Sequence, residues 1–193
     1  FDMYYSPLET ARAAIDVGFR AALVGTVTKY KESVEEMKAA FHTINKMHPL
    51  VSYHLGFHAE YTATPEILKE LSKAAHELKV PIWSHISETK QEVDDCVARY
   101  GMTPAVYIDS LGLYDHGGGG FHGVHFTDAD FEVYKKRDLH IVTNPSANTK
   151  LASGIAPIKR YLEEGINVAI GTDGPASNNA LDFFREMFLV TGL

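Results

Sequence analysis

The sequence predicts an α/β protein in which helices cover a parallel sheet. Short apolar runs rich in β-forming residues alternate with amphipathic stretches along the chain, and the connections between them are short. This alternation is typical of parallel strands joined by helical crossovers. A chain of 193 residues is long enough to bury a sizeable core, and we predict one domain over residues 1–193.

The predicted strands are apolar runs that stop at polar or turn-forming residues. The run at 166–170 (INVAI) stops at GTDG, and the run at 80–84 (VPIWS) stops at His85. Runs of four to eight such residues are typical of buried strands. We predict strands at residues 1–5, 19–27, 49–57, 80–84, 121–126, 139–143 and 166–172.

The helices are predicted from capping residues and apolar spacing. Ser6, Thr64 and Thr127 stand where N-caps are expected, and a proline follows the first two of them. Residues 29–47 carry apolar side chains every three or four positions. We predict loops at 115–120 and 144–153, and helices at 7–17, 29–47, 64–79, 89–100, 103–111, 127–137, 155–164 and 178–189.

Composition excludes several classes of protein. The net charge is −7 without a basic cluster, which argues against a nucleic-acid partner. No apolar stretch reaches the roughly 18 residues of a membrane span. The single cysteine, Cys96, excludes an internal disulfide and fits a reducing compartment, so we predict a cytoplasmic location. The chain starts at Phe1 without a leader, and we expect it to be a piece of a longer protein.

Four predicted strand ends carry side chains capable of chemistry: His58, His85, His122 and Asp173. The carboxyl ends of parallel strands lie on one face of a barrel, so residues distant in sequence can meet there. Imidazole and carboxylate groups are ligands of zinc and iron, and such a metal lowers the pKa of bound water to about 7. Glu88, three residues after His85, is placed to carry protons.

Each of these residues also has a purely structural interpretation. A histidine such as His85 at a strand end is often a hydrogen-bonded loop residue, and Asp173 in GTDG is also typical of a turn. Glu88 suits the first turn of a helix, where a negative charge is favourable. Ser177 and Asn178 suit helix caps. The chemical interpretation therefore depends on the residues acting together.

Four segments together resemble the amidohydrolase superfamily. They are residues 84–89 (SHISET), 121–126 (FHGVHF), 143–157 (TNPSANTKLASGIAP) and 171–179 (GTDGPASNN), in that order. The chain is similar to the branch that holds 5-methylthioadenosine/S-adenosylhomocysteine deaminases, guanine deaminase and triazine hydrolases. This resemblance implies a TIM-like (β/α)8 barrel. The chain would supply about strands two to eight, without strand one and without a small β-domain.

The resemblance also implies a metal site and a set of roles. His85 and Asp173 are expected to bind one divalent metal, zinc first and iron as the alternative. Glu88, His122 and Asp173 are expected to be catalytic, Glu88 by passing a proton to a ring nitrogen and His122 by orienting and deprotonating the attacking water. The expected substrate contacts are His58, Glu88 and Ser177.

The implied function is a hydrolytic deaminase that acts on an aminopurine nucleoside or a similar amino-substituted ring and releases ammonia. One alternative is a triazine-type chlorohydrolase or aminohydrolase. A second is a piece that is not an enzyme and serves in binding or scaffolding, because the His-x-His pair that supplies two metal ligands in the family is absent from residues 1–193. A third is an α/β protein without a metal site. We expect a small-molecule substrate, and assembly into a homo-oligomer stays open.

Overall fold

The computed structural model describes residues 1–192. Over this range strands and helices alternate, as the sequence predicts for the α/β class, and a short 3-10 helix covers Glu60–Thr62. The strands are β1 (Asp2–Met3), β2 (Ala21–Val24), β3 (Val51–Gly56), β4 (Ile82–Ile86), β5 (Gly118–His122), β6 (His140–Thr143) and β7 (Asn167–Ile170). The helices are α1 (Pro7–Asp16), α2 (Val34–Ile44), α3 (Pro65–Leu78), α4 (Lys90–Tyr100), α5 (Pro104–Ser110), α6 (Asp128–Arg137), α7 (Pro145–Lys150), α8 (Ile158–Glu163) and α9 (Phe183–Gly192).

The chain forms two compact units. The first consists of residues 1–84 and 111–116, and the second of residues 85–110 and the chain from 117 onwards. Strand β4 begins in the first unit, and its last two residues, His85 and Ile86, belong to the second. The prediction of one domain over residues 1–193 stays a prediction.

All strand pairs of the first unit are parallel, as predicted. The register pairs Asp2 with Leu23, Ala21 with Val51, and Leu55 with Ile82. Leu23, Tyr53 and Leu55 are at most 2% exposed, so alternate residues of β2 and β3 form the core of this unit.

Helix α2 begins at Val34, five residues later than the predicted start at 29. The cause is a capping box: the Ser33 hydroxyl accepts from the Glu36 backbone N–H at 3.2 Å, and the Glu36 carboxylate accepts from the Ser33 N–H at 2.8 Å. The bond from the Ser33 N–H, and then a bond from the Ser33 hydroxyl to the same carboxylate at 2.8 Å, hold the pKa of Glu36 below its usual value. The apolar spacing indicated the helix correctly, while the cap decided where it starts.

The His76 ring joins α3 to the segment 111–116 within the first unit. Its Nδ1 lies 2.7 Å from the Ser72 carbonyl, and its Nε2 lies 2.9 Å from Oδ2 of Asp115. Both partners favour the imidazolium form, so the bond to Ser72 and then the bond to Asp115 raise the pKa of His76.

We expect this raised pKa to make stability depend on pH. Because His76 binds its proton more tightly in the folded state, its contribution is complete below its unfolded pKa of about 6.5 and is lost as pH rises through the higher folded value. Urea unfolding from about pH 5 to 9 should therefore show His76→Gln losing most stability at the acid end. A loss that is constant over this range, or that grows with pH, would contradict the assignment.

The second unit holds β5, β6 and β7, which are also parallel. The register pairs Gly119 with His140 and Thr143 with Ile170. The end of β4 is tied to this unit because the Ile86 carbonyl accepts a hydrogen bond from the Gly123 N–H at 3.1 Å.

An aromatic cluster fixes the loop that follows β5. The Phe126 ring lies 4.7–5.6 Å, centroid to centroid, from the rings of Phe131, Tyr134 and Tyr161. The Tyr161 hydroxyl donates to the Gly123 carbonyl at 2.7 Å. Helices α6 and α8 therefore hold the backbone immediately after His122 in place.

The structure of the glycine run at residues 117–120 differs from the prediction. Residues 115–120 were expected to be a loop, yet Gly118, Gly119 and Gly120 are buried in strand β5, which ends at His122 and not at 126. A Cβ on Gly120 would lie 2.2 Å from Cγ2 of Ile86. Close packing of β5 on Ile86, and not loop flexibility, accounts for glycine at this position.

We expect Gly120→Ala to destabilise the protein by about 1–3 kcal/mol, because the added methyl group overlaps Ile86 in a packed interior. Denaturant unfolding measures this loss. Gly174→Ala is the matched control, since nothing lies within 4 Å of a Cβ there and its φ is not left-handed. Equal stability of the two variants would contradict the close packing.

Two further boundaries differ from prediction. Helix α7 (Pro145–Lys150) lies inside the predicted loop 144–153, since six residues are too few for an apolar period to be visible. Helix α9 begins at Phe183 and not at 178, because the Asn178 side chain accepts from the Ala180 N–H at 3.2 Å and shapes a turn there. Within residues 1–192 no helix has both the length and the apolar character needed to cross a membrane.

Candidate active site

His85 lies inside β4, one residue before its end, although the sequence placed it just after the strand. The strand continues because Ile86 remains hydrogen bonded to Gly123 at 3.1 Å. The His85 ring is half-buried and lies 5.4 Å from the Phe121 ring, centroid to centroid.

His122 is the last residue of β5, whereas the predicted strand 121–126 placed it second. Its ring stacks on that of His85, with centroids 5.5 Å apart and planes 26° apart. The side chain is 2% exposed, and the backbone φ of 76° is left-handed. Such a backbone costs about 1–3 kcal/mol in a residue other than glycine, and residues held in this way cluster at functional sites.

Glu88 faces His122 from the loop after β4. Its Oε2 lies 3.8 Å from Nε2 of His122, and its Oε1 accepts from the Ser153 hydroxyl at 3.2 Å. The Glu88 side chain is 20% exposed, so it is open to solvent on one side. Nε2 of His125 donates to the Ser153 carbonyl at 2.7 Å.

The buried carboxylate of Glu92 fixes the backbone that carries Glu88. It accepts from the N–H groups of Ser87 and Glu88 at 2.7 and 2.8 Å and is 6% exposed. Ser87 has a left-handed φ of 48°, and its carbonyl accepts from the N–H groups of Val124 and His125 at 3.0 and 2.9 Å. The loops after β4 and β5 are thereby bonded to each other.

Asn148 and Asn144 contact the buried nitrogen of His122. Oδ1 of Asn148 lies 2.8 Å from Nδ1 of His122, and Nδ2 of Asn144 lies 3.4 Å from the same atom. Both asparagines are at most 5% exposed. The side of the ring away from Glu88 is therefore held by amide groups.

Asp173 and Ser177 lie in the segment that follows β7. Asp173 comes three residues after the strand, has a left-handed φ of 58°, and accepts from the Gly174 N–H through Oδ1 at 2.6 Å. This bond is the one expected if Asp173 is a turn residue, and metal binding by Asp173 stays a proposal. Ser177 is half-buried, and its N–H donates to the Gly174 carbonyl at 3.1 Å.

A buried glutamate of α9 anchors that segment. Glu186 is 0% exposed and accepts from the Asn178 side chain and from the Ser146 N–H, both at 2.8 Å. The Asn178 side chain also donates to the Thr172 carbonyl at 2.8 Å. Helix α9 therefore fixes both the loop after β7 and the start of α7.

His58 belongs to the first unit, two residues after β3. Its Nδ1 lies 3.1 Å from the Thr62 hydroxyl, and its ring meets that of Tyr61 edge-on with centroids 6.2 Å apart. The substrate contact expected of His58 stays a prediction.

The structure brings together three of the predicted site residues: His85, Glu88 and His122. His85 and Asp173 offer an imidazole nitrogen and a carboxylate oxygen, which are zinc ligands by type. A catalytic zinc takes three protein ligands, and across residues 1–192 no group of three His, Cys, Asp or Glu side chains is arranged to hold a metal ion. The donor types fit zinc, while the number of ligands within this range does not complete a site.

Four residues of this network received no role from the sequence: Glu92, Asn144, Asn148 and Ser153. The last three lie within the segment 143–157 that carries the resemblance, and that position was the available signal. Glu92 lies in the predicted helix 89–100, four residues after Glu88, and nothing in this position distinguishes it from a surface glutamate. Only its burial distinguishes it.

The strand ends of the second unit thus carry adjacent imidazole and carboxylate groups, an arrangement typical of parallel α/β hydrolases. The chain belongs to the amidohydrolase family, whose family model matches residues 1–191. Family membership confirms the resemblance found in the sequence.

Two curated relatives illustrate the similarity. A 5-methylthioadenosine/S-adenosylhomocysteine deaminase of Pyrococcus furiosus is 39% identical over 98% of this chain and 47% of its own length. A 5'-deoxyadenosine deaminase of Methanosphaera stadtmanae is 40% identical over 97% of this chain and 46% of its own length. The chain spans about half the length of these relatives.

Solved structures confirm the TIM-like amidohydrolase fold. An adenosine deaminase from Xanthomonas campestris with bound zinc is 34% identical, has a TM-score of 0.85, and is matched over 95% of this chain and 43% of that chain. A guanine deaminase from C. acetobutylicum with bound guanine is 19% identical, with a TM-score of 0.86 over 94% of this chain and 46% of that chain. The second similarity shows the fold alone.

Proposed function

We propose that the protein is a metal-dependent hydrolytic deaminase that releases ammonia from an aminopurine nucleoside or a similar amino-substituted ring. The observation that carries this proposal is the pair formed by Glu88 and His122, 3.8 Å apart beside His85. Hydrolysis of a ring amidine needs one group that accepts a proton from water and another that donates a proton to the ring. The names of the curated relatives support this substrate class.

His85 and Asp173 would hold the metal, with zinc expected because the adenosine deaminase structure contains it. When bound, the metal supplies a water that ionises near neutral pH. Ligands beyond these two are needed for a complete catalytic site.

His122 and Asp173 take the proton that water loses when its oxygen attacks the amidine carbon. Nε2 is the His122 atom that faces Glu88, so that nitrogen is the one assigned to proton transfer. Glu88 gives one proton to the ring nitrogen and is left as a carboxylate. It then moves the proton that remains on the attacking oxygen to the amino group, the carbon–nitrogen bond breaks, and ammonia leaves. The proton held by His122 and Asp173 returns to Glu88, whose Oε2 lies 3.8 Å from Nε2 of His122, and the cycle closes.

Glu88 can serve in this way because its surroundings fix its position. The Ser153 hydroxyl binds one oxygen, and the Glu92 carboxylate holds the backbone N–H. Ser177 is proposed to line the substrate pocket. We place the reaction in the cytoplasm, without nucleic-acid or membrane partners, and with assembly into a homo-oligomer still open.

The test is a substrate panel with the protein as its gene encodes it, supplied with zinc. The panel holds 5-methylthioadenosine, S-adenosylhomocysteine, 5'-deoxyadenosine and guanine, with a chlorotriazine as the competing class. Ammonia from at least one aminopurine supports the proposal. Chloride from the triazine, without ammonia from any purine, replaces it with the triazine-hydrolase alternative. No product from any compound supports the binding or scaffolding alternative.

A further inference from the structure

We propose that Asn148 is a positioning residue that fixes the neutral His122 ring with its proton on Nδ1, so that Nε2 is the basic nitrogen facing Glu88. The contact between Asn148 and His122 indicates this tautomer without any assumption about function. Its catalytic consequence rests on the proposed function.

The two asparagines present different types of atom to Nδ1 of His122. Oδ1 of Asn148 accepts hydrogen bonds and cannot donate, so a contact of 2.8 Å to Nδ1 of His122 requires the proton to be on Nδ1. Nδ2 of Asn144 can only donate and would favour the opposite tautomer, but it lies at 3.4 Å. The shorter contact decides for Nδ1–H.

The contact between Asn148 and His122 is buried. His122 is 2% exposed and Asn148 is 1% exposed, so water does not compete for this bond. A buried polar contact is stronger than an exposed one, and losing its partner is correspondingly unfavourable. The left-handed φ of 76° at His122 further restricts where the ring can point.

The Asn148 backbone also acts on Glu88, through Ser153. The Asn148 carbonyl accepts from the N–H groups of Ser153 and Gly154 at 2.8 and 3.2 Å. The Ser153 hydroxyl donates to Oε1 of Glu88 at 3.2 Å. Asn148 therefore orients His122 through its side chain and Glu88 through its backbone, and it keeps the two proton carriers opposite each other.

The test is ¹⁵N NMR of the histidine-labelled protein at alkaline pH, where imidazole is neutral, with His122 assigned from the spectrum that His122→Gln lacks. We expect the proton of His122 on Nδ1 in the unmodified protein. Asn148→Asp retains an acceptor and should keep this tautomer, whereas Asn148→Leu should shift the population towards Nε2–H. Asn167→Leu, at an exposed position on β7, is the matched control and should leave the spectrum unchanged.

A proton on Nε2 of His122 in the unmodified protein overturns the proposal, and this result does not require any variant to fold. An unchanged tautomer in a folded Asn148→Leu also overturns it. In the deaminase assay we expect Asn148→Leu to lower kcat at least about tenfold with little change in KM, and Asn148→Asp to recover most of the loss. Failure of the proposed function would remove only this last result and leave the NMR result standing.

Discussion

Glu88→Gln should lower the rate of ammonia release by about 100- to 10,000-fold, the usual range for loss of a general acid–base group. The amide keeps an oxygen that can accept from the Ser153 hydroxyl, now 3.2 Å from Oε1, so the loop should stay in place. Because the amide cannot carry a proton between ring and amino group, the loss should fall on kcat. Steady-state kinetics on the best substrate of the panel measures it.

The matched control is Glu163→Gln. Glu163 is a surface glutamate, 63% exposed and 3.7 Å from Lys159, and its replacement should leave kcat within about twofold. If Glu88→Gln kept more than a tenth of the activity, Glu88 would not be the proton carrier and the assigned mechanism would be wrong.

Glu92→Ala should have the largest effect on stability, a loss of about 2–5 kcal/mol. The carboxylate accepts from the N–H groups of Ser87 and Glu88, and Ser87 is fully buried. Each backbone donor left without an acceptor costs about 1–3 kcal/mol. Denaturant unfolding measures this loss, and activity should fall as well because Glu88 loses its anchor.

Glu66→Ala is the comparison for that measurement. Glu66 also lies in the first turn of a helix, α3, but it is exposed. Because solvent screens the interaction of such a glutamate with the helix dipole, its replacement should cost far less stability than that of Glu92. Equal losses for Glu92→Ala and Glu66→Ala would mean that Glu92 acts as an ordinary helix-start glutamate.

The class of fold was predictable because its cause is local. Apolar runs such as 166–170 and capping residues such as Thr64 act within a few positions, and the structure has β7 and α3 where they indicate. The prediction of a loop at the glycine run was wrong because the cause is tertiary. Gly120 packs against Ile86, which is 34 residues away in sequence. No local pattern distinguishes such a buried glycine from one in a flexible loop.

The sequence indicated the candidate site residues themselves but not the residues that hold them in place. His122 was assigned to a strand end although the predicted strand 121–126 ran four residues past it, and His85 was placed within one residue of its strand end. The residues that hold the site were not recognisable, since the role of Glu92 depends on its burial and that of Asn148 on a contact with a residue of another element. An asparagine or glutamate becomes a positioning residue only through such contacts.

The most direct test of the proposed site is a crystal structure of the zinc-loaded protein, with the metal located by anomalous scattering at the zinc edge. We predict one zinc with a His85 ring nitrogen and an Asp173 carboxylate oxygen each about 2.0–2.2 Å away. Zinc bound elsewhere, with neither of these side chains among its ligands, would contradict the assignment of a metal-dependent hydrolase site to these strand ends.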